Sequence, residues 1–298
     1  MHWFSRAFLF FALFSQFSLA DTQKPYYRVA ILDRFFPPVE GFSSAEQRDQ
    51  HLALYGLVDV DDDDQKEPLY HGDLVRLLAS NNQFTFITYP IQDNRSPISE
   101  ILNNLRKINA RFASQPIDAL VLSWESSTLI SNFDSLLETT QAEAYKNKVK
   151  EMGKSSEVWR DTYLIITELE KLTSKNVMIY TIAGNGGRNM VNTFSFAEGV
   201  VTVGAVESEL DSYIANNAFV DTYAQAAYQL VRIDDAYGKP LGYDLNSDRC
   251  IDIPLNQLSG FRKTTDYPKT FWKVLKGSSF AAPTALKLEL MKNLKTSC

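Results

Sequence analysis

The sequence predicts an α/β protein with a mainly parallel central sheet and helices on both faces. Short apolar runs, typical of buried parallel strands, recur along the chain. Segments of ten or more residues with apolar residues at helical spacing separate these runs. Strands that alternate with such helices form parallel sheets that are covered on both sides.

Each predicted element has its own pattern. Apolar or aromatic and β-branched runs predict strands over 28–33, 84–89, 119–124, 177–182 and 199–206. Apolar residues at i, i+3, i+4 and i+7 predict helices over 98–112 and 158–172, and a short amphipathic helix begins at His71. Residues 34–70 are irregular and polar, and residues 215–231 fit a helix without a clear place among the other elements.

Residues 1–20 have the pattern of a secretory signal peptide. Arg6 precedes the apolar stretch 7–17, and small residues follow at 18–20. The stretch is too short to span a membrane, and no later segment of the sequence has the roughly 18 apolar residues that a span needs. We expect residues 21–298 to form one secreted or periplasmic domain without stable membrane insertion.

Charge and cysteine content narrow the class of partner. The net charge of −6, without a basic patch and interleaved aromatic residues, argues against nucleic-acid binding. The two cysteines, Cys250 and Cys298, are too few for a structural zinc site. In an oxidising compartment we expect them to form a disulfide.

Two acidic stretches have two interpretations each. Asp59 with residues 61–64 is either a solvated loop or a calcium site, and its spacing follows no defined calcium loop. Residues 244–248, with Asp252 beyond them, alternate oxygen ligands but lack the glycine and the closing glutamate of a calcium loop. A turn stabilised by Asp and Asn side chains is the alternative. We expect no cofactor in catalysis and no catalytic metal.

Residues 277–283 open an apolar helical run near the C-terminus. Gly277 allows a tight entry turn, and Pro283 is expected in the first helical turn, where its missing N–H costs little. A serine there is either an N-cap or a nucleophile whose oxyanion the unpaired N–H groups would stabilise. Because His2 belongs to the predicted signal peptide, a histidine base would have to be His51 or His71, and we interpret His51 as structural or surface.

Four segments together resemble the motifs of subtilisin-like serine proteases (subtilases). Residues 29–33 (VAILD) resemble the strand that ends in the family's catalytic aspartate, and residues 71–75 (HGDLV) resemble its histidine motif. Residues 183–185 (AGN) resemble the turn of the oxyanion asparagine. Residues 277–283 (GSSFAAP) resemble the Gly-Thr-Ser-Met-Ala-x-Pro motif of the nucleophile. The segments occur in the family's order, and residues 201–206 resemble the strand after the oxyanion turn.

The resemblance implies a subtilisin-like three-layer fold and a serine endopeptidase. Its motifs place the catalytic roles on Asp33, His71 and Ser279, with Asn185 as oxyanion donor. The choice of Ser279 over Ser278 rests on the third motif position. Taken without the resemblance, an Asp at the position of Asp33 caps a turn as readily as it serves a site.

The resemblance also implies where a polypeptide substrate binds. The substrate would lie extended beside residues 120–124, with Ser123, Trp124, Glu125 and Gly184 lining the cleft. Glu125 stands where most relatives have a glycine. Its carboxylate would either obstruct the peptide or favour basic side chains.

Several departures leave other functions open. Arg34-Phe35 follows the aspartate in place of Thr/Ser-Gly, and Val75 replaces a second histidine. Glycines are few, and the stretch between the predicted cleavage point and Asp33 is too short for the usual folding propeptide. The alternatives are a catalytically silent binding module with the same fold and an exported hydrolase of non-peptide acyl bonds.

Overall fold

The computed structural model describes residues 26–36, 44, 59–60, 67–92, 95–258, 267–271 and 274–292. The predicted signal peptide, His51, residues 61–64 and Cys298 lie outside the described residues. What the sequence predicts of them stays a prediction.

The described residues contain thirteen strands. In chain order they are β1 (Tyr27–Asp33), β2 (Phe84–Pro90), β3 (Ala119–Leu122), β4 (Ser127–Leu129), β5 (Met178–Ile182), β6 (Met190–Asn192), β7 (Val200–Ala205), β8 (Thr222–Ala224), β9 (Ala227–Tyr228), β10 (Val231–Asp234), β11 (Pro240–Asp244), β12 (Ile253–Pro254) and β13 (Leu275–Lys276). The six-stranded central sheet has the order β2-β1-β3-β5-β7-β8, and each neighbouring pair is parallel. The predicted mainly parallel sheet is confirmed.

Helices cover both faces of this sheet, as predicted. They are α1 (His71–Ala79), α2 (Pro97–Arg111), α3 (Ala142–Met152), α4 (Glu157–Thr173) and α5 (Ser278–Met291). None of the helices in the described ranges is long and apolar enough to cross a membrane.

Alternate residues of the central strands supply the two apolar cores. Side chains of a strand point to opposite faces in turn. Ala30, Leu32, Leu120 and Leu122 pack with apolar residues of α2 and α4, whereas Val29, Ile31, Ala119 and Val121 pack with those of α1 and α5. Strands that are apolar on both faces are therefore buried on both faces.

The helix predicted over 215–231 is wrong, because this stretch contains β8, β9 and the start of β10. Ala224, Ala226, Tyr228 and Leu230 are buried, and the residues between them are more exposed. Burial at every second residue is the pattern of a strand. The alternation is visible in the sequence, where Gln225 and Gln229 stand at intervening positions.

A third apolar cluster links the smaller sheets to α1 and α5. Strands β10, β11 and β12 form an antiparallel sheet, and Tyr243 of β11 is fully buried. Its cluster includes Leu74 and Leu78 of α1 and Phe280 of α5. The cluster therefore holds together the two helices that carry His71 and Ser279.

Candidate active site

The predicted site residues gather at the carboxyl edge of the central sheet. Because β1, β3 and β5 are parallel neighbours, their last residues lie side by side. Asp33 ends β1, Ser123 follows β3 and residues 183–187 follow β5. The first turn of α5 meets the same edge through the hydrogen bonds of Ser278 and Ser279 described below. Ligands of open α/β sheets bind at this edge.

Asp33 and His71 form a hydrogen-bonded pair. His71 is the first residue of α1, and its Nδ1 lies 2.9 Å from Oδ2 and 3.0 Å from Oδ1 of Asp33. Asp33 is completely buried, whereas the His71 side chain is 36% exposed. An ionised carboxylate only accepts hydrogen bonds, so Nδ1 carries the proton in this pair.

The surroundings raise the pKa of His71 above its ordinary value of 6.5. Burial alone lowers this pKa because it disfavours the charged ring, and the positive charge of Arg34 lowers it further. The negative charge of Asp33 and the hydrogen bond to it act in the opposite direction and prevail. The pair therefore stabilises the protonated imidazole.

Asn185 is fixed by the residue before the predicted nucleophile. Its Oδ1 accepts hydrogen bonds from the backbone N–H and the hydroxyl of Ser278, both at 2.9 Å. A backbone N–H can only donate, so the oxygen end of the amide must face Ser278. The Nδ2 donors of Asn185 have no partner among the described residues and are left for another acceptor.

Ser279 lies in the first turn of α5 and is 8% exposed. Pro283 lies inside α5, and its predicted place in the first turn is wrong. Because proline has no N–H, it cannot donate to the Ser279 carbonyl four residues earlier. The hydroxyl of Ser123 donates to this carbonyl instead, at 2.9 Å. Ser123 thus supports the turn that carries Ser279.

The His71 ring reaches the same turn of α5. It stacks on Phe280, with 5.7 Å between ring centroids and 29° between ring planes. Among the described residues, the Ser279 hydroxyl has no hydrogen-bond partner, and no bond joins it to His71. The structure thus brings the two side chains to one place without a direct bond between them.

Glu125 binds the turn that carries Asn185. Its Oε2 and Oε1 accept the backbone N–H of Asn185 at 3.2 and 3.3 Å, and the Ser127 hydroxyl also donates to Oε2. A side chain at Gly184 would collide with this carboxylate, and the φ of 107° there also favours glycine. The Glu125 carboxylate therefore lies directly against Gly184.

Two contacts of the site are not predicted by any sequence motif. The indole Nε1 of Trp124 donates to Oδ1 of Asp33 at 3.1 Å, and the Arg34 guanidinium lies 5.4 Å from the centre of the Trp124 ring. The role of Phe280 as a stacking partner of His71 was also missed. Neither contact has a local sequence signal, because each joins residues far apart in the chain.

Residues 244–248 form a turn that is closed by their own side chains. Asp244 accepts the backbone N–H groups of Ser247 and Arg249 at 2.7 and 2.8 Å. In the parts of the chain that the structure describes, no three His, Cys, Asp or Glu side chains are arranged to hold a metal ion. Cys250, close by, is disulfide-bonded.

Solved structures with a similar chain arrangement include three proteases. A lanthipeptide protease is 15% identical, with 91% of this chain and 76% of that chain covered and a TM-score of 0.42. An epidermin leader-peptide-processing serine protease from Staphylococcus aureus is 14% identical, with 89% of this chain and 64% of that chain covered and a TM-score of 0.46. A cold-adapted subtilisin-like serine proteinase is 12% identical, with 90% of this chain and 77% of that chain covered and a TM-score of 0.43. No family model and no curated protein sequence matches the chain.

Proposed function

We propose that this protein is an exported serine endopeptidase of the subtilisin type, which hydrolyses peptide bonds. One observation carries the proposal: four residues from distant segments of the chain lie near one another at one edge of the parallel sheet. They are Asp33, His71, Asn185 and Ser279. Each has the chemistry that one step of acyl transfer needs.

Ser279 is the nucleophile in this proposal. The hydroxyl of Ser278 donates to Asn185 and is completely buried, so it is already engaged. The hydroxyl of Ser279 has no partner among the described residues. A serine hydroxyl attacks a carbonyl only with the help of a base. This difference between neighbouring serines supports the choice made from the motif.

His71 is the general base and then the general acid. With Nδ1 bonded to Asp33, the proton lies on Nδ1 and Nε2 has the free electron pair. Nε2 takes the proton of Ser279 as the hydroxyl attacks, and gives it to the leaving amine. Asp33 stabilises the imidazolium and keeps the ring in this tautomer. The hydrogen bond between a catalytic base and its nucleophile is often long or poorly aligned before substrate binds.

Two donors stabilise the oxyanion of the tetrahedral intermediate. They are the Nδ2 of Asn185, whose other end is held by Ser278, and the backbone N–H of Ser279 at the start of α5. Both are fixed before the reaction begins. Removing an asparagine donor of this kind lowers turnover on the order of 100- to 1000-fold.

The substrate in this proposal is a polypeptide that lies beside Ser123, Trp124 and Glu125. The Glu125 carboxylate lies against Gly184, with no room between them for an added Cβ, so a substrate side chain that approaches Gly184 meets this carboxylate. Acidic side chains are disfavoured there, because like charges repel at short distance.

A fluorophosphonate reagent tests the proposal, because it bonds covalently to an activated serine. We expect stoichiometric labelling of the wild type, loss of labelling in Ser279→Ala and retention in Ser278→Ala. Intact mass spectrometry with peptide mapping measures all three. The Ser278→Ala variant is the matched control, since it removes a hydroxyl from the adjacent residue of the same helix.

A catalytically silent binding module with the same fold is the second candidate. The missing hydrogen bond between His71 and Ser279, both of them described residues, favours it, as does the charged Glu125 in the proposed cleft. A properly folded wild-type protein that stays unlabelled would support this candidate and contradict the peptidase.

A further inference from the structure

We propose that Trp124 is a positioning residue of the reaction: its indole N–H holds the Asp33 carboxylate in the orientation that His71 needs. The inference rests on the proposed peptidase function and goes beyond it. The family resemblance predicts only that Trp124 lines the substrate cleft. In the structure its polar atom is directed at the buried acid of the site.

The strand register brings Trp124 to Asp33. Strands β1 and β3 pair in parallel with Val29 opposite Ala119 and Ile31 opposite Val121. The chain just beyond β3 therefore runs beside the end of β1, where Asp33 lies. The Nε1 to Oδ1 distance of 3.1 Å is that of a normal hydrogen bond.

The Asp33 carboxylate has a defined set of donors. Its Oδ1 accepts from the backbone N–H of Arg34 at 2.7 Å and from Trp124, and the His71 Nδ1–H lies against both oxygens. A completely buried carboxylate is costly unless such bonds satisfy it. The indole N–H only donates, so it suits a carboxylate oxygen, which accepts hydrogen bonds.

The indole itself is held from several sides. Trp124 packs against the apolar core that α2 and α4 share with the sheet, and the Arg34 guanidinium lies over its ring at 5.4 Å. Its backbone carbonyl accepts from the Nδ2 of the buried Asn192 at 3.3 Å. The N–H is therefore presented to Asp33 in a fixed direction.

This arrangement has a consequence for the acid–base step. With Oδ1 tied to Trp124 and Arg34, the carboxylate cannot rotate away from the imidazole. The N–H dipole also offsets part of the negative charge that acts on His71. Without it the full charge of Asp33 acts on the ring, so the pKa of His71 rises. Among the described residues, Arg34 and, more distantly, Asp73 of α1 are the other charged groups that act on this pair.

The Trp124→Phe variant tests the inference, because phenylalanine keeps the aromatic packing and loses the donor. We expect kcat to fall about tenfold, as for the loss of a hydrogen bond to a charged group, with KM changed less than about twofold. We also expect the acid limb of the kcat/KM profile to move to higher pH. Steady-state kinetics with a peptide substrate of the wild type measures both.

Trp159→Phe is the matched control. Trp159 lies in α4 and packs against the same apolar core, so the variant removes an indole from the same environment away from Asp33. An unchanged kcat in Trp124→Phe would overturn the inference. So would a loss of stability equal to that of the control, with no movement of the pH profile.

An NMR measurement tests the hydrogen bond without relying on activity. The indole N–H signal of Trp124 is assigned by its loss in Trp124→Phe, and Asp33→Asn should shift it more than the signal of Trp159. An equal or smaller shift would overturn the inference. An inactive wild type with this shift present would instead contradict the peptidase proposal alone.

Discussion

The proposed acid–base chemistry of the candidate site rests on one pair of residues, Asp33 and His71. The imidazole of His71 would be harder to protonate if it were buried alone, but the adjacent Asp33 reverses this effect and raises its pKa. The same carboxylate fixes which ring nitrogen carries the proton. One buried carboxylate therefore sets both the tautomer and the pH range of the proposed base.

The pH dependence of activity follows from the sign of this shift. A base works only when it is unprotonated, so activity should fall as the pH drops through the pKa of His71. Because this pKa is raised above 6.5, we expect the midpoint of the acid limb of kcat/KM to lie above pH 6.5. Kinetics between about pH 4 and 9 measure it.

Asp33→Asn should move this midpoint to lower pH, because it removes the charge that raises the pKa of His71. Asp161→Asn is the control, because Asp161 is also a buried aspartate but lies in α4, away from His71. This variant should leave the midpoint of the acid limb in place. A wild-type rate that is flat down to pH 4 would argue against a histidine base.

At the scale of elements, the entry into α5 joins the proposed nucleophile to the proposed oxyanion donors. Ser278 binds the side chain of Asn185, and Pro283 leaves the Ser279 carbonyl to the hydroxyl of Ser123. The residue before the helix, Gly277, has a φ of 156°. The first turn of one helix is thus attached to the ends of two strands.

Gly277→Ala should impair activity more than stability alone explains. A Cβ at residue 277 would lie 3.7 and 3.8 Å from the side-chain amide of Asn185 and 4.0 Å from the Ser279 nitrogen, beside both proposed donors. We expect backbone strain of about 1–3 kcal/mol and a lower rate of fluorophosphonate labelling. Denaturant unfolding and labelling kinetics measure the two effects.

Gly238→Ala supplies the control for strain. Gly238 also has a positive φ, of 79°, but nothing lies within 4 Å of the added Cβ. This variant should lose stability and label at the wild-type rate. If Gly277→Ala labelled as fast as Gly238→Ala, the space beside Asn185 would not be the oxyanion site.

Secondary structure was predicted correctly where the apolar residues of a segment follow one clear pattern. The prediction was wrong for residues 215–231, where the pattern is mixed. The central strands were found because their apolar runs are nearly continuous, and the helices over 98–112 and 158–172 because their apolar residues repeat at helical spacing. In 215–231, where a helix was predicted, Ala224, Ala226 and Tyr228 alternate with more exposed residues. Burial against the sheet decided that region, and intrinsic propensity did not.

At the scale of the whole molecule, the site is a product of topology. Asp33, Asn185 and Ser279 belong to segments separated by long stretches of chain, and the parallel sheet brings them to one edge. The motifs predict these residues as members of the site, and each lies close to the end of a strand or the start of a helix. Contacts between segments, such as Trp124 with Asp33, depend on register and depth of burial, which no local pattern specifies.

The most direct test of this convergence is a crystal structure of the protein after reaction with a fluorophosphonate. We expect the phosphorus on Oγ of Ser279, the phosphoryl oxygen within hydrogen-bond distance of Asn185 Nδ2 and of the Ser279 backbone nitrogen, and Nε2 of His71 beside the adduct. An adduct on any other residue, or a phosphoryl oxygen directed away from these donors, would contradict the proposed site.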